Sequence, residues 1–106
     1  MTGEPAVRAT VAERTAALAR LLAEQRNEEA AKAAHDILAS DPKDLQALHL
    51  GGVALTRLGR AEDAVTLLST AVAIDSSRAA LHLALGNALR RAGRSEPARE
   101  AFEAAL

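Results

Sequence analysis

Apolar residues recur every three or four positions in a series of short runs, and polar, glycine or proline residues separate the runs. The first run is Leu18, Leu21 and Leu22. The second is Ala30, Ala33, Ala34, Ile37 and Leu38, and the third is Leu48, Gly51, Gly52 and Leu55. Then come Ala64, Val65, Leu68, Ala71 and Val72, followed by Leu85, Gly86 and Leu89, and last Ala98, Ala101, Phe102, Ala105 and Leu106. Each run has the spacing of one helical face, and no stretch alternates as a strand would. The breaks fall at Gln25-Arg26-Asn27, Asp41-Pro42, Gly59, Asp75-Ser76-Ser77 and Gly93.

This pattern predicts six helices. Thr10 and Glu13 have capping-box spacing, so the first helix is expected from Val11. Asn27 is expected to cap the second, with Glu28 and Glu29 facing its positive end. The third is expected from about Asp44 to Leu58, the fourth from Ala61 to Ile74 and the fifth from Arg78 to Ala92. Ser95 is expected to cap the sixth, with Pro97 in its first turn, where a missing N–H is harmless. Gly59 and Gly93 stand where a left-handed C-cap is needed. Gly51 and Gly52 lie inside a helix pattern, at a cost of about 1 kcal/mol each against alanine. Such a cost implies close packing of another element, and Gly86 repeats the feature. Met1 to Ala9, with Gly3 and Pro5, reads as a frayed lead, so residues 1–10 are set apart from a helical domain over residues 11–106.

The chain also repeats itself at an offset of 34 residues. Gly52, Ala54, Leu55, Arg57, Gly59, Arg60, Glu62, Ala64 and Ala71 recur as Gly86, Ala88, Leu89, Arg91, Gly93, Arg94, Glu96, Ala98 and Ala105. The period and these residue types resemble the tetratricopeptide repeat, a helix–turn–helix unit of 34 residues. In that register the second repeat supplies the small residue Gly52, the large Leu55 and the alanines Ala64 and Ala71. The third supplies Gly86, Leu89, Ala98 and Ala105, with Phe102 at an aromatic position. The first repeat departs from the pattern at Leu18, Gln25 and Ile37 and keeps Leu21, Ala30 and Asp41-Pro42. An Arg-x-Glu turn recurs at Arg26/Glu28, Arg60/Glu62 and Arg94/Glu96. The resemblance implies an all-α fold, a right-handed solenoid of three hairpins and six antiparallel helices. The repeats are 11–44, 45–78 and 79–106, the last one truncated. The wording of the second and third repeats is also similar to N-terminal regions of large bacterial enzymes. Examples are repeat-containing sulfotransferases, relatives of O-linked N-acetylglucosaminyl transferases, and aspartyl/asparaginyl hydroxylases.

Composition narrows the function. Thirteen Lys and Arg balance fourteen Asp and Glu for a net charge of −1, with no clustered basic excess, which argues against a nucleic-acid partner. Cysteine is absent, so disulfides and thiolate metal sites are excluded. No run of apolar residues approaches membrane-spanning length, and no signal sequence is visible, so a cytoplasmic location is expected. His35, His49 and His82 show no i,i+4 pairing, and no nucleophile–base set or phosphate loop is present. No catalytic, metal or cofactor site is expected, and the chain itself is not expected to be an enzyme.

What remains is a surface. The resemblance implies that the first helix of each hairpin lines a concave groove that holds a peptide or partner helix. The tentative lining is Gln46, His49, Val53, Arg57, Asn87, Arg90 and Arg91, with Ala12, Thr15, Ala16 and Ala19 in the first repeat. Leu50, Ala80, Leu83 and Ala84 complete it. The arginines suit carboxylates or peptide carbonyls, although a cation in a last helical turn needs no partner. A chaperone-tail clamp does not fit, because Thr15, Ala19, His49 and Val53 stand where its Lys and Asn are required and only Asn87 matches. Leu85, Leu89, Phe102 and Leu106 are expected to leave an apolar end face, a tentative interface for further chain or for a homodimer. A protein or peptide partner is therefore the first expectation. A substrate-recruiting or dimerising part of a larger bacterial enzyme is the second, and self-association alone the third.

Overall fold

The computed structural model describes residues 10–106, with the backbone alone at Val11. The expected lead therefore lies outside the described residues. Six helices follow one another: α1 (Val11–Ala23), α2 (Asn27–Ser40), α3 (Leu45–Arg57), α4 (Ala61–Ile74), α5 (Ala79–Arg91) and α6 (Ser95–Ala104). No strand occurs among the described residues.

Each hairpin turns on a left-handed residue. Gln25, Gly59 and Gly93 have φ of 63°, 83° and 81°. At Gly59 the N–H reaches Thr56 O at 3.1 Å and the next N–H, of Arg60, reaches Leu55 O at 2.8 Å. This is the paired-bond ending that satisfies the last carbonyls of a helix. The same bonds recur at Arg26 (to Leu21 O, 2.9 Å) and Arg94 (to Leu89 O, 2.9 Å). The carbonyls of Arg26, Arg60 and Arg94 then accept the first bonds of α2, α4 and α6, from Ala30, Ala64 and Ala98. One arginine thus closes one helix and opens the next. That sharing corrects two sequence expectations. Asn27 and Ser95 do not cap α2 and α6; each is already the first helical residue, and the N-cap is Arg26 or Arg94, without a side-chain cap.

The starts of the other helices behave as side-chain caps where the sequence provides one. Thr10 and Glu13 form the full capping box on α1. Asp44 accepts from Ala47 N at 2.8 Å at the head of α3. Helix α5 starts at Arg78 without such a bond. Its turn is held instead by Asp75, which accepts from Ser77 N and Arg78 Nε, each at 3.0 Å.

Every helix packs on its successor. In addition α1 packs on α3 and α3 on α5, whereas the backbones of α2, α4 and α6 stay apart. The odd-numbered helices therefore form the tight, inner side of the stack and the even-numbered ones the open, outer side. The expected close approaches are present. A Cβ on Gly52 would lie 2.5 Å from Leu68 Cγ, and one on Gly86 would lie 2.6 Å from Phe102 Cε1. A Cβ on Gly51 would lie 2.7 Å from Ala34 Cβ of the preceding hairpin. In the 34-residue register Gly52 and Leu68 correspond to Leu18 and Ala34 of the first hairpin, both buried in one cluster. The first hairpin carries the large side chain on its first helix and the small one on its second, the reverse of the other two.

Candidate binding groove

On the inner side, α3 and α5 enclose a cavity of about 410 Å³ lined by His49, Val53, Thr56, Arg57, Ala80, Leu83, Ala84, Asn87, Arg90 and Arg91. Helical spacing explains the set: successive residues on the inner face of α3 and of α5 fall three or four apart. Six of the seven residues singled out from the sequence meet here. Gln46 is exposed on the first turn of α3 and lies outside the lining. Ala12, Thr15, Ala16 and Ala19 of α1 are not part of the lining either, and neither is Leu50. Thr56 was not anticipated; it is buried, with its Oγ1 donating to Gly52 O at 2.8 Å. Its register mate is Arg90, which was anticipated, so the 34-residue offset alone would have found it.

The groove is graded along its length. Arg57, Arg90 and Arg91 stand in the last turns of α3 and α5, where the helix dipole favours cations. Val53 and Ala84 make an apolar middle, and His49, Ala80 and Leu83 flank the other end. The lining contains no Asp or Glu. Arg57 is held in place, its Nη1 donating to Leu22 O at 3.0 Å and to Asn27 Oδ1 at 3.4 Å. Arg90 donates to Asn87 Oδ1 at 3.4 Å. His49 is half-buried, and desolvation first, then the nearby charge of Arg78, push its pKa below the usual histidine value. Both effects favour its neutral form.

A larger cavity, about 530 Å³, opens on the outer side between α2 and α4 and had no counterpart in the sequence reading. Its floor includes Ala31, Leu38, Leu55 and Leu67, and its rim carries charges of both signs. Those charges are largely answered within the chain: Arg60 pairs with Glu28 at 3.3 Å and Lys32 with Asp36 at 3.2 Å. The inner groove is smaller, but it is the one whose cations lack carboxylate partners among the described residues.

The four residues assigned to an apolar end face are placed unequally. Leu89 is 6% exposed inside the core shared by the second and third hairpins, so it gives that face no surface. Leu85 and Phe102 are half-buried, and the Phe102 ring covers Gly86 of its own hairpin. Leu106 is fully exposed. Among the described residues no His, Asp and Glu cluster is arranged to hold a metal ion, and no helix is long and apolar enough to cross a membrane.

Comparison with known proteins agrees with this geometry. No curated protein sequence matches the chain. Among solved structures, MamA of MSR-1 superposes with a TM-score of 0.79 at 21% identity, over 91% of this chain and 55% of that one. The type III secretion translocator chaperone SycD of Yersinia enterocolitica gives 0.83 at 14% identity, over 93% of this chain and 75% of that one. A mutant O-GlcNAc transferase of Thermobaculum terrenum gives 0.77 at 30% identity, over 94% of this chain and 20% of that one. The chain thus spans about half the length of MamA and a fifth of the transferase. The tetratricopeptide repeat model matches residues 15–79 and again 52–106. With that coverage, the 34-residue register and the hairpin stack, the chain belongs to the tetratricopeptide repeat family.

Proposed function

We propose that the protein is an interaction scaffold whose α3–α5 groove holds a segment of a partner protein. The carrying observation is that groove: preformed, partly apolar, and lined by three arginines with no acidic residue. A site of this kind combines apolar area for affinity with fixed polar groups for orientation. A peptide selected from a displayed library against the full chain tests it. Ala80→Trp, an exposed position in the lining, fills the groove and should abolish binding. Ser69→Trp, exposed on α4, should leave binding unchanged. Binders indifferent to Ala80→Trp overturn the reading.

A second reading has its own support. The 30% identity to O-GlcNAc transferase, confined to a fifth of that protein, favours a recruiting or dimerising region of a larger bacterial enzyme. An antibody raised to the chain distinguishes the two in the source cell. A product near 11.0 kDa favours the scaffold acting alone, and a much larger one favours the second reading. Either reading assigns no catalytic residue to these helices. Self-pairing through the end that carries Phe102 and Leu106 is compatible with both.

A further inference from the structure

The described residues include ten arginines, and five of them have a carboxylate partner. Arg26, Arg60, Arg78, Arg94 and Arg99 each pair with a carboxylate, at 2.6–3.3 Å. Arg14, Arg20, Arg57, Arg90 and Arg91 have none among the described residues, and of these the last three line the groove. The chain as a whole has one more acidic residue than basic, so this separation is not a shortage of carboxylates. Two of the three are already oriented. Arg57 is fixed through Nη1 by Leu22 O and Asn27, which leaves its other terminal nitrogen without a partner. Arg90 donates to Asn87 Oδ1, and the Asn87 amide nitrogen has no acceptor among the described residues. A guanidinium is a fixed fork that fits a carboxylate with two donors, and an amide N–H₂ fits a peptide carbonyl.

We infer that the partner segment is an extended acidic stretch. Its Asp or Glu side chains meet Arg57, Arg90 and Arg91, a backbone carbonyl accepts from Asn87, and small aliphatic side chains lie on Val53 and Ala84. This rests on the groove reading above. An extended chain with small side chains between its acids matches both the charged end and the apolar middle. Binding places carboxylates against cations that have no carboxylate partner among the described residues, and charge complementarity of this kind sets specificity and association rate.

The test uses the whole chain, ¹⁵N-labelled, with an acetylated and amidated decapeptide that alternates Glu and Ala. The same peptide with Gln or Lys for Glu, the Glu peptide with a free C-terminal carboxylate, and a ten-residue oligothymidylate are the comparisons. The Glu peptide should shift the amides of Val53, Ala84 and Asn87. It should bind on the order of tenfold or more tighter than the Gln peptide, and weaken as salt rises. Arg90→Gln with Arg91→Gln, both exposed positions, should remove that advantage without moving the melting temperature, and Arg99→Gln should not. If the Gln or Lys peptide binds equally well and shifts the same amides, the groove reading survives and the acidic assignment falls. If no peptide shifts α3 or α5, both fall. A requirement for the free carboxylate, or tighter binding of the oligonucleotide, also overturns the acidic-segment assignment.

Discussion

The first hairpin and the two that follow solve one packing problem in opposite ways. Where α3 and α4 meet, Gly52 admits Leu68, and where α5 and α6 meet, Gly86 admits Phe102. At the equivalent place in the first hairpin Leu18 stands with Ala34, and these are 0% and 1% exposed. The position is defined by the sum of two side chains and not by either residue alone. A search for glycine at this position finds the second and third repeats and misreads the first as degenerate. The same hairpin differs on its outward side. Ala47 and Ala54 of α3, and Leu81 and Ala88 of α5, are buried against the preceding hairpin. Their register mates in α1 are Glu13 and Arg20, both exposed. Stacking another apolar surface there would desolvate two charges, which is strongly unfavourable. At the opposite end Val65 gives way to Arg99, but Leu68 and Val72 become Phe102 and Leu106 and stay apolar. The stack therefore has one charged end and one end that keeps much of its apolar character.

The size exchange gives the largest expected effect. Leu68→Ala should cost about 2–5 kcal/mol by opening a cavity. Gly52→Leu should cost about 1–3 kcal/mol by overpacking. Together they recreate the arrangement of the first hairpin, and the double variant should be clearly more stable than the sum of the two losses implies. Urea denaturation of the cycle measures this, and strict additivity would refute the exchange. Next in size is Gln25, a side chain at a left-handed φ where the other turns use Gly59 and Gly93. Gln25→Gly should raise stability by about 1 kcal/mol, and Gly59→Gln should lower it by a similar amount. An unchanged midpoint for Gln25→Gly would show that the turn carries no strain.

The contrast between the ends predicts a weaker, concentration-dependent effect. If copies associate, they should do so through the Phe102 end about a two-fold axis and not head to tail, because the α1 face is charged. Light scattering should then show that Leu106→Glu lowers the mass at high concentration and that Glu13→Ala does not. A chain that stays monomeric at every concentration removes the pairing. The smallest effect belongs to His49. Its folded-state pKa lies below the unfolded value, so its contribution to stability is complete above about pH 6.5 and is lost as pH falls through the folded-state pKa. His49→Gln should flatten that part of the stability profile, and an unaltered profile would mean another group titrates there.

The fold was legible because its punctuation is chemical. Proline after Asp41 and glycine at 59 and 93 have few other uses in a helical chain, and every break they mark is present. The caps of α2 and α6 were misassigned because one arginine serves both helices, leaving no position for Asn27 or Ser95 to occupy as a cap. Most of the groove was legible because the offset carries inner positions of α3 onto α5. The hold on Arg57 was not, since its acceptor is a backbone carbonyl 35 residues earlier and a carbonyl leaves no mark in a sequence. The outer cavity went unread for a related reason: it lies where the backbones of α2 and α4 stay apart, and a gap has no residue signature. Leu89 was placed on the end face from spacing alone, whereas α5 turns it toward Leu68 and Ala98 in the shared core.

The unequal contact between odd and even helices has a mechanical meaning. A beam bends about the layer that resists a change of length, and here that layer is the row α1, α3, α5, which is in continuous contact. On the other side α2 and α4 pack on the odd-numbered helix that follows each, and the even-numbered helices are linked to one another by Arg60 with Glu28 and by Arg94 with Glu62, both exposed pairs. Such pairs are worth about 0–1 kcal/mol and are screened by salt. The row of odd-numbered helices is thus the more continuous leaf, and the direct ties between the even-numbered helices are in part ionic. Added salt should therefore weaken the ties between the even-numbered helices before it weakens the apolar row that builds the floor of the groove.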